Sequence, residues 1–293
     1  MRQETEPRKR RNRRRKSHWW KILLLILLLP FVIAGYARYV EPYMLVTRTV
    51  EIEASKNAPE CTVVFFSDTH FGQNYNEKNI ERIVKRINRS SPDIVIFGGD
   101  FLDNYARDRD GLDLDYIKAE LSKIQAAYGK FAVWGNHDYG GGAVRVYEDL
   151  MTGGGFQVLK NGSCQIEALN MKVFGYDDYL LGRTDPVLYQ IKSQQFNLIA
   201  AHEPVVADFI KNTGENLLLT GHTHGGQIGI RGIREKVTPK ASGNYVKGLY
   251  TQEDMETETP MQMYVSSGIG TAIYPLRFLN VPEIVEIRLK QKK

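Results

Sequence analysis

Five short segments of this 293-residue chain contain side chains that can bind metal ions. Five of the six histidines lie in these segments, together with aspartate and asparagine, and neither of the two cysteines does. Carboxylate, amide and imidazole groups without thiolate suit divalent ions such as Mn, Fe or Zn. The sequence therefore predicts two metal ions bound by these segments, which are Asp68-Thr69-His70, Gly99-Asp100-Phe101-Leu102-Asp103, Gly135-Asn136-His137-Asp138, His202 and Gly221-His222-Thr223-His224.

Two adjacent cations suit the hydrolysis of a phosphoester. Ions held about 3.5–4 Å apart neutralise the phosphoryl oxygens and lower the pKa of the water molecule between them. Such a pair needs one ligand that bridges both ions. Each motif taken alone, such as a single Asp-x-His, is also an ordinary feature of turns. The prediction of a binuclear hydrolase therefore depends on finding all five segments in one chain.

The order of the five segments and their amino-acid sequences resemble those of the calcineurin-like metallophosphoesterases over residues 68–224. The resemblance implies hydrolysis of a phosphoester by a hydroxide that bridges two ions. It implies that His137 protonates the leaving-group oxygen and that Asp103 orients His137. It also implies seven metal ligands, with Asp68, His70 and His224 on the first ion, Asn136, His202 and His222 on the second, and Asp100 bridging the two.

Each ligand segment follows a short apolar run that is typical of a buried strand. These runs cover residues 62–67, 93–98, 131–134, 196–200 and 216–220. Apolar residues at helical spacing around residues 80–87 and 117–124 predict helices between the first three runs. The pattern therefore predicts strand–helix–strand units with the ligands at the carboxyl ends of the strands, where open α/β sheets bind ligands.

Later residues predict a second sheet. Residues 156–176 alternate apolar and polar around Asn161-Gly162, which predicts a β-hairpin at that dipeptide. Residues 263–267 and 283–289 alternate in a similar way. The family resemblance implies a four-layer α/β/β/α sandwich, and these patterns are compatible with that α/β fold.

The N-terminus has a different composition. Residues 1–18 carry nine Lys or Arg against two Glu, a balance of +7 in a chain of net charge +5, so the remainder is near −2. Residues 19–38 are almost entirely apolar after Trp19 and Trp20 and have about the ~20 residues needed to cross a bilayer. The sequence thus divides into a basic tail (1–18), a transmembrane anchor (19–38), a short connection (39–50) and a catalytic domain (51–293).

The charge of the tail predicts the orientation of the anchor. Basic residues before a span stay in the cytoplasm, which places the catalytic domain on the outer face of the cell membrane. A cleaved signal peptide with a weak site at residues 34–37 is the alternative, and twin-arginine export fits the tail poorly. The tail could also bind anionic lipid or nucleic acid.

The two cysteines, Cys61 and Cys164, do not require a disulfide. A bridge is possible outside the cytoplasm, but two free thiols are favoured. The roughly 245 residues after the anchor can bury one substantial core without a disulfide.

The substrate is less clear from the sequence. Tyr176-Asp177-Asp178 and residues 268–284 resemble the membrane-anchored bacterial branch of the superfamily, which includes broad phosphohydrolases and enzymes similar to UDP-2,3-diacylglucosamine pyrophosphohydrolases. On this basis Asp178 and Arg277 are candidate substrate-binding residues. The apolar residues beside Arg277 could meet a lipid or only pack the end of the sandwich; they are Tyr274, Leu276, Phe278 and Leu279.

Three classes of function follow. The first is a membrane-anchored enzyme that cleaves a phosphodiester, phosphomonoester or pyrophosphate bond in a lipid- or envelope-linked substrate. The alternative within this class is a UDP-2,3-diacylglucosamine-type pyrophosphohydrolase at the cytoplasmic face. A nuclease is less favoured, because a nucleic-acid groove is basic and the catalytic body is not. A non-catalytic scaffold would lack a ligand or His137, and all are present. Asn104 stands where protein Ser/Thr phosphatases carry Arg, which argues against phosphoprotein substrates, and no protein partner is implied.

Overall fold

The computed structural model describes residues 19–55, 58–184, 195–272 and 274–292. Within them the helices are α1 Trp19–Tyr39, α2 Ile80–Arg89, α3 Tyr105–Asp108, α4 Leu114–Ser122, α5 Asn136–Gly140, α6 Tyr147–Gly153 and α7 Arg234–Val237. The strands are β1 Val46–Ala54, β2 Cys61–Phe66, β3 Ile94–Phe97, β4 Lys130–Ala132, β5 Gln157–Val158, β6 Gly162–Ile166, β7 Met171–Gly175, β8 Phe196–Ala200, β9 Asn216–Thr220, β10 Gly248–Tyr250, β11 Met261–Val265 and β12 Glu283–Gln291.

The strands form two six-stranded sheets, in the orders β1-β12-β2-β3-β4-β5 and β10-β11-β9-β8-β7-β6. Strands β2 to β5 are parallel to one another, and so are β7, β8, β9 and β11. Parallel strands covered on both faces are expected to be apolar throughout, and β3, β8 and β9 are buried at every position. This is why the ligand-bearing strands could be located as continuous apolar runs.

Alternation along the strands divides the core into layers. Val63 and Phe65 of β2 pack between the sheets against Leu217 and Leu219 of β9. The opposite face of the first sheet packs on α2, α4 and α6. The outer face of the second sheet is covered by the 3-10 helix Pro204–Phe209 and by residues around Tyr245 and Met255. The α/β architecture with two facing sheets is confirmed.

The predicted hairpin at Asn161-Gly162 is wrong. β5 pairs in parallel with β4 in the first sheet, whereas β6 belongs to the second sheet. Asn161, with φ 52°, therefore lies where the chain crosses from one sheet to the other. The antiparallel pair in this region is β6 with β7, and its turn ends at Asn170 with φ 44°. Asn161 and Asn170 both adopt the left-handed conformation that Asn tolerates well. The local sequence therefore does not show which of the two lies in the turn of a hairpin.

α1 is long and apolar enough to cross a membrane, although a signal sequence would have the same features. Only Ala37 is buried among its residues. Residues 39–50, the predicted connection, contain the 3-10 turn Glu41–Tyr43 and the first residues of β1. β1 pairs with β12 from Val46 onward, which makes this segment part of the first sheet.

Candidate metal centre

The five segments predicted to bind metal meet at one edge of the two sheets. Each follows the carboxyl end of a strand: β2, β3, β4, β8 and β9 in turn. Five non-glycine residues of these segments have positive φ angles between 45° and 66°. Such conformations are uncommon for residues with a Cβ and cluster at functional sites. The residues are Asp68, His70, Asp100, His222 and His224.

Glycines next to these residues allow the loops to approach closely. A Cβ at Gly135 would collide with Asp100 Oδ1, and one at Gly221 would collide with Asp68 Oδ2. Gly99 has φ 89°, and a Cβ there would lie 2.8 Å from His202 Nδ1. Residues with a Cβ at these positions would therefore disrupt the loops.

The first group of ligand atoms comes from Asp68, His70 and His224, which all lie within 4.8 Å of one another. His70 Nε2 is 3.1 Å from His224 Nε2, and His224 Nε2 is 3.6 Å from Asp68 Oδ1. All three side chains are buried. Two imidazole nitrogens this close, facing carboxylate oxygens, form a pocket that suits a cation.

Asp100 lies between the first group and a second one. Its Oδ2 is 3.4 Å from His70 Nε2 and 3.1 Å from His202 Nε2. On the far side of the site, His222 Nδ1 is 3.0 Å from Asn136 Oδ1. The structure therefore brings together all seven residues predicted as ligands, with Asp100 in the central position.

Backbone carbonyls determine which nitrogen of two histidines faces the site. A carbonyl can only accept, so His202 Nδ1–H donates to Gly98 O at 2.8 Å and His222 Nε2–H donates to Lys240 O at 2.7 Å. This leaves His202 Nε2 and His222 Nδ1 facing Asp100 and Asn136, respectively. Metal-binding histidines commonly donate their other N–H in this way.

The charges of the site favour an added cation. Burial lowers the pKa of His202, but Asp100 and Asp68 outweigh burial and hold that pKa well above its usual range. Burial lowers the pKa of His222 to about 3 and places the pKa of His224 well below its usual range, so both rings keep a free lone pair. The carboxylates thus attract positive charge, while neutral imidazoles offer nitrogen ligands.

One buried atom supports this assignment independently. His202 Nε2 is fully enclosed and forms no regular hydrogen bond within the described residues, although Asp100 Oδ2 approaches it to 3.1 Å. Buried polar atoms are nearly always satisfied. The donor set and this orphaned nitrogen therefore fit a metal centre.

His137 and Asp103 are arranged differently from the expectation. His137 Nδ1–H donates to the backbone carbonyl of Asp103 at 2.8 Å, while the Asp103 carboxylate is 3.7 Å away. That carboxylate instead lies 3.1 Å from His70 Nδ1 and accepts from Arg107 Nη2 at 2.6 Å. Asp103 therefore contacts His137 through its main chain and a predicted metal ligand through its side chain.

Asp138 has a structural role that the sequence did not reveal. It is fully buried, and its carboxylate accepts backbone N–H groups from Asp100 and Phe101, at 2.9 and 3.0 Å, and from Gly135 at 3.0 Å. One side chain thus joins the loop after β3 to the loop after β4. Its position two residues after Asn136 was the available signal, but the contact requires the fold.

The two weaker candidates, Arg277 and Asp178, are buried in the structure. Arg277 donates to Ser267 O at 2.7 Å and to Gly270 O, and its Nη2 lies 3.5 Å from His224 Nδ1. It therefore lies behind His224 and has no exposed surface for a substrate phosphate. Asp178 accepts from Leu181 N at 2.6 Å and so holds the loop at 178–182.

A cleft of about 330 Å³ opens beside His137. Arg107 lines it, with a side chain 42% exposed, and is held by Asp103 and by Asp108 at 2.6 Å. No sequence pattern singles out Arg107, which lies four residues after Asp103. Its position follows from α3, whose first turn is capped by Asn104. The other lining residues are Asn74, Asp103, Asn104, Asn136, Gly140, Gly141, Leu181 and Ala272.

Comparison with known proteins agrees with this geometry. The calcineurin-like phosphoesterase family matches residues 61–226. An uncharacterized metallophosphoesterase of Bacillus subtilis, YkuE, is 34% identical, over 87% of this chain and 89% of its own. One from Aquifex aeolicus is 29% identical, over 89% of this chain and 98% of its own. The phosphodiesterase YaeI of Escherichia coli is 25% identical, over 87% and 92% respectively.

Proposed function

The chain belongs to the calcineurin-like phosphoesterase family and is a metal-dependent phosphoester hydrolase, and from this premise we propose that it is a membrane-anchored binuclear enzyme. The observation that carries the proposal is the convergence of seven oxygen and nitrogen ligands around Asp100. A substrate ester carried by a lipid or another envelope component is the class that we propose.

The proposed ligand assignment follows the two groups of side chains. Asp68, His70 and His224 would hold one ion, Asn136, His202 and His222 would hold the other, and Asp100, which lies between the two groups, would serve both. Mn, Fe or Zn suits this mixture of carboxylate, amide and imidazole. When bound, two such ions neutralise phosphoryl oxygens and lower the pKa of water.

His137 is the proposed general acid. Burial lowers the pKa of His137, but Asp100 and the Asp103 carbonyl raise it to a net value above the usual range. Because Nδ1–H is committed to the Asp103 carbonyl, Nε2 is the atom that can give a proton to the leaving group. A positioned imidazole of this kind contributes typically 10²–10⁴-fold to the rate.

Arg107 is the proposed contact for a second anionic or polar part of the substrate. It lines the cleft next to His137, and its guanidinium is oriented by two carboxylates. An exposed face of a fixed guanidinium can donate to a phosphate or an ester oxygen. This gives the cleft beside His137 an exposed cation.

Membrane attachment is supported by α1 and by the basic tail before it. The helix ends beside the loop that carries Arg277, because Arg277 N–H donates to Ala37 O at 2.9 Å. That loop lies at the same edge of the sheets as the metal ligands. An ester in the headgroup layer would therefore be near the site, which favours a lipid- or envelope-linked substrate over a soluble one.

The direct test uses the full-length chain in detergent. After removal of metal and reloading with Mn, we expect two ions per chain and hydrolysis of aryl phosphodiesters that requires the metal. Replacement of Asp100 by Asn is expected to abolish the hydrolysis, while the exposed-residue control Asp110→Asn is expected to leave it unchanged. One ion or none per loaded chain would refute the binuclear proposal.

Substrate class is tested separately by comparing lipid-borne, nucleotide-linked and nucleic-acid esters. Preference for esters presented in a bilayer supports the proposal. Preference for a UDP-linked acyl sugar would favour a pyrophosphohydrolase, and preference for free nucleic acid would favour a nuclease.

A further inference from the structure

Large apolar side chains are exposed on two segments beside the end of α1. Tyr274 is 62% exposed and Leu279 is 65% exposed, so neither packs the end of the sandwich. On the neighbouring segment Ile230, Ile233 and Val237 are 39–43% exposed. Single exposed apolar residues are ordinary, but a contiguous group marks an interaction surface.

Hydrogen bonds place the first segment against the end of the membrane helix. Arg277 N–H donates to Ala37 O at 2.9 Å, and Leu279 N–H donates to Glu41 Oε2 at 2.9 Å. Glu41 is buried and directly follows α1 in the 3-10 turn. Leu279 is therefore held close to the point at which α1 ends.

The second segment lies along the first. Phe278 N–H donates to Gln227 O at 3.0 Å, and Gly229 N–H donates to Phe278 O at 2.8 Å. Residues 230–237 then form helical turns, since Ile233 N–H donates to Ile230 O and Val237 N–H to Ile233 O. Spacing of three and four residues places the side chains of Ile230, Ile233 and Val237 on one side of these turns.

Charged residues on the same segment indicate what covers this surface. Arg231, Lys236 and Lys240 are exposed, while the one acidic residue in this stretch, Glu235, pairs with Arg234 at 2.8 Å. Apolar side chains interleaved with cations are typical of segments that lie in the interface of an anionic membrane. Continuity with α1 points to the same partner.

We propose that residues 228–240, with Tyr274 and Leu279, form a membrane-contact rim that lies in the headgroup layer of an anionic leaflet. This proposal rests on the proposed function, because it requires α1 to span the membrane. It adds that the catalytic domain itself contacts the bilayer, in a fixed orientation, rather than extending away from it on a tether.

The rim also borders the metal centre directly. Lys240 O accepts from His222 Nε2–H at 2.7 Å. The turn at Arg234 packs on Gly226, two residues after His224. A rim resting on the leaflet would therefore hold the predicted ligands next to the headgroups, where a lipid-borne phosphoester is located.

The test measures the depth of single labels on the full-length chain in nanodiscs containing anionic lipid. Both native cysteines are replaced by alanine, and an environment-sensitive fluorophore is attached at Ile233→Cys or Leu279→Cys. Tyr128→Cys, an exposed aromatic position at the opposite edge of the first sheet, is the matched control, and Leu27→Cys reports insertion of α1. Spin-labelled lipid and aqueous iodide are the two quenchers.

We expect labels at 233 and 279 to be quenched by the spin-labelled lipid and to be severalfold less sensitive to iodide than the label at 128. Arg231→Gln combined with Lys236→Gln should reduce lipid quenching at 233 while leaving that at 27 unchanged. One outcome is that the label at position 27 reports insertion while iodide quenches the labels at 233 and 279 as strongly as the label at 128. That result would refute the membrane-contact rim but would support the membrane anchor. Protection from both quenchers would indicate a protein partner and would also refute the rim. If the label at 27 is not in lipid, the anchor fails and the rim fails with it.

Discussion

Asp103 contributes two different groups to the site. Its backbone carbonyl accepts from His137 Nδ1–H, and its carboxylate lies beside His70 Nδ1 and Arg107. Burial raises the pKa of Asp103, but His70 and Arg107 outweigh burial and lower it overall. The side chain is therefore ionised and can hold His70 with Nε2 facing His224 and Asp100 in the proposed metal centre.

This division of roles gives a prediction for Asp103→Asn. Loss of a carboxylate that orients a metal-binding histidine typically costs 10–100-fold in metal affinity or activity. We expect Mn activation to require a correspondingly higher concentration, with much of the rate restored at saturating Mn because His137 keeps its backbone partner. Activity measured against Mn concentration checks this, with Asp110→Asn as the control. Unchanged Mn dependence would contradict the role of the carboxylate.

His137→Ala is expected to keep both ions and to lose rate in proportion to the basicity of the leaving group. For an alkyl ester the loss should reach about 10²–10⁴-fold, because the general acid is absent. An aryl ester with a good leaving group should show a smaller deficit and serves as the internal control. Hydrolysis of the alkyl ester at the wild-type rate would rule out general acid catalysis by this residue.

Arg107→Gln tests the cation in the cleft. Removal of a guanidinium that contacts bound substrate should raise KM more than it lowers kcat. Arg109→Gln is the matched control, since Arg109 is 65% exposed and pairs only loosely with Asp110 at 3.7 Å. Arg107→Lys should restore little, because an ammonium cannot reproduce the planar fork. Equal KM values for the two glutamine variants would exclude substrate contact by Arg107.

At the scale of elements, the site depends on loops that are fixed to one another. Asp138 accepts backbone N–H groups from the turn after β3 and from the turn after β4. These turns carry Asp100, which lies between the two groups of predicted ligands, and Asn136, which belongs to the second group. The Asp138 carboxylate therefore fixes the turn of Asp100 relative to the turn of Asn136.

Asp138→Ala should accordingly damage both stability and metal binding. Each buried backbone N–H left without a partner costs about 1–3 kcal/mol, so losing the acceptor of several should lower the unfolding free energy by about 3 kcal/mol or more. Thermal unfolding of the detergent-solubilised chain measures this, and Asp149→Ala, a surface carboxylate paired with Lys118, is the control. Equal melting temperatures for the two variants would contradict the role assigned to Asp138.

The elements that the sequence predicted well are those with a continuous apolar signal. β8 and β9 begin and end where expected, at Phe196–Ala200 and Asn216–Thr220, because every residue of both strands is buried. The hairpin at Asn161-Gly162 failed because strand partners are chosen by the whole sheet. β5 is only two residues long and finds its partner in β4.

The candidate site likewise contains residues that the sequence predicted and others that only the structure reveals. Residue type and order were enough to identify side chains that converge around Asp100. Asp138, Arg107 and the main-chain role of Asp103 were not visible, because each depends on contacts between loops that are far apart in sequence. The burial of Arg277 was likewise hidden, since an isolated Arg in a loop carries no pattern of burial.

At the scale of the whole molecule, the end of α1 and the metal centre lie at the same edge of the sheets. β1 starts at Val46, opposite Glu283 of β12, and β12 runs antiparallel to β2. The start of β1 therefore lies at the same edge of the sheet as the carboxyl end of β2, which leads into Asp68. The short stretch from Tyr39 to Val46 leaves the catalytic domain little freedom to move away from a membrane that contains α1.

Topology is the prediction that concerns the whole chain. Nine basic residues precede α1, and such clusters remain in the cytoplasm, so the catalytic domain should face outward. In spheroplasts of a bacterial host, added protease should digest the catalytic domain and spare a tag at the N-terminus, with a cytoplasmic protein as the control for intact membranes. Replacing the basic residues at positions 8–16 by glutamine should weaken this preference and protect a fraction of the domain. If the wild-type catalytic domain resists protease in spheroplasts but is digested after lysis, the orientation is the opposite of the one predicted. The substrate would then be sought among lipid-linked esters of the cytoplasmic leaflet.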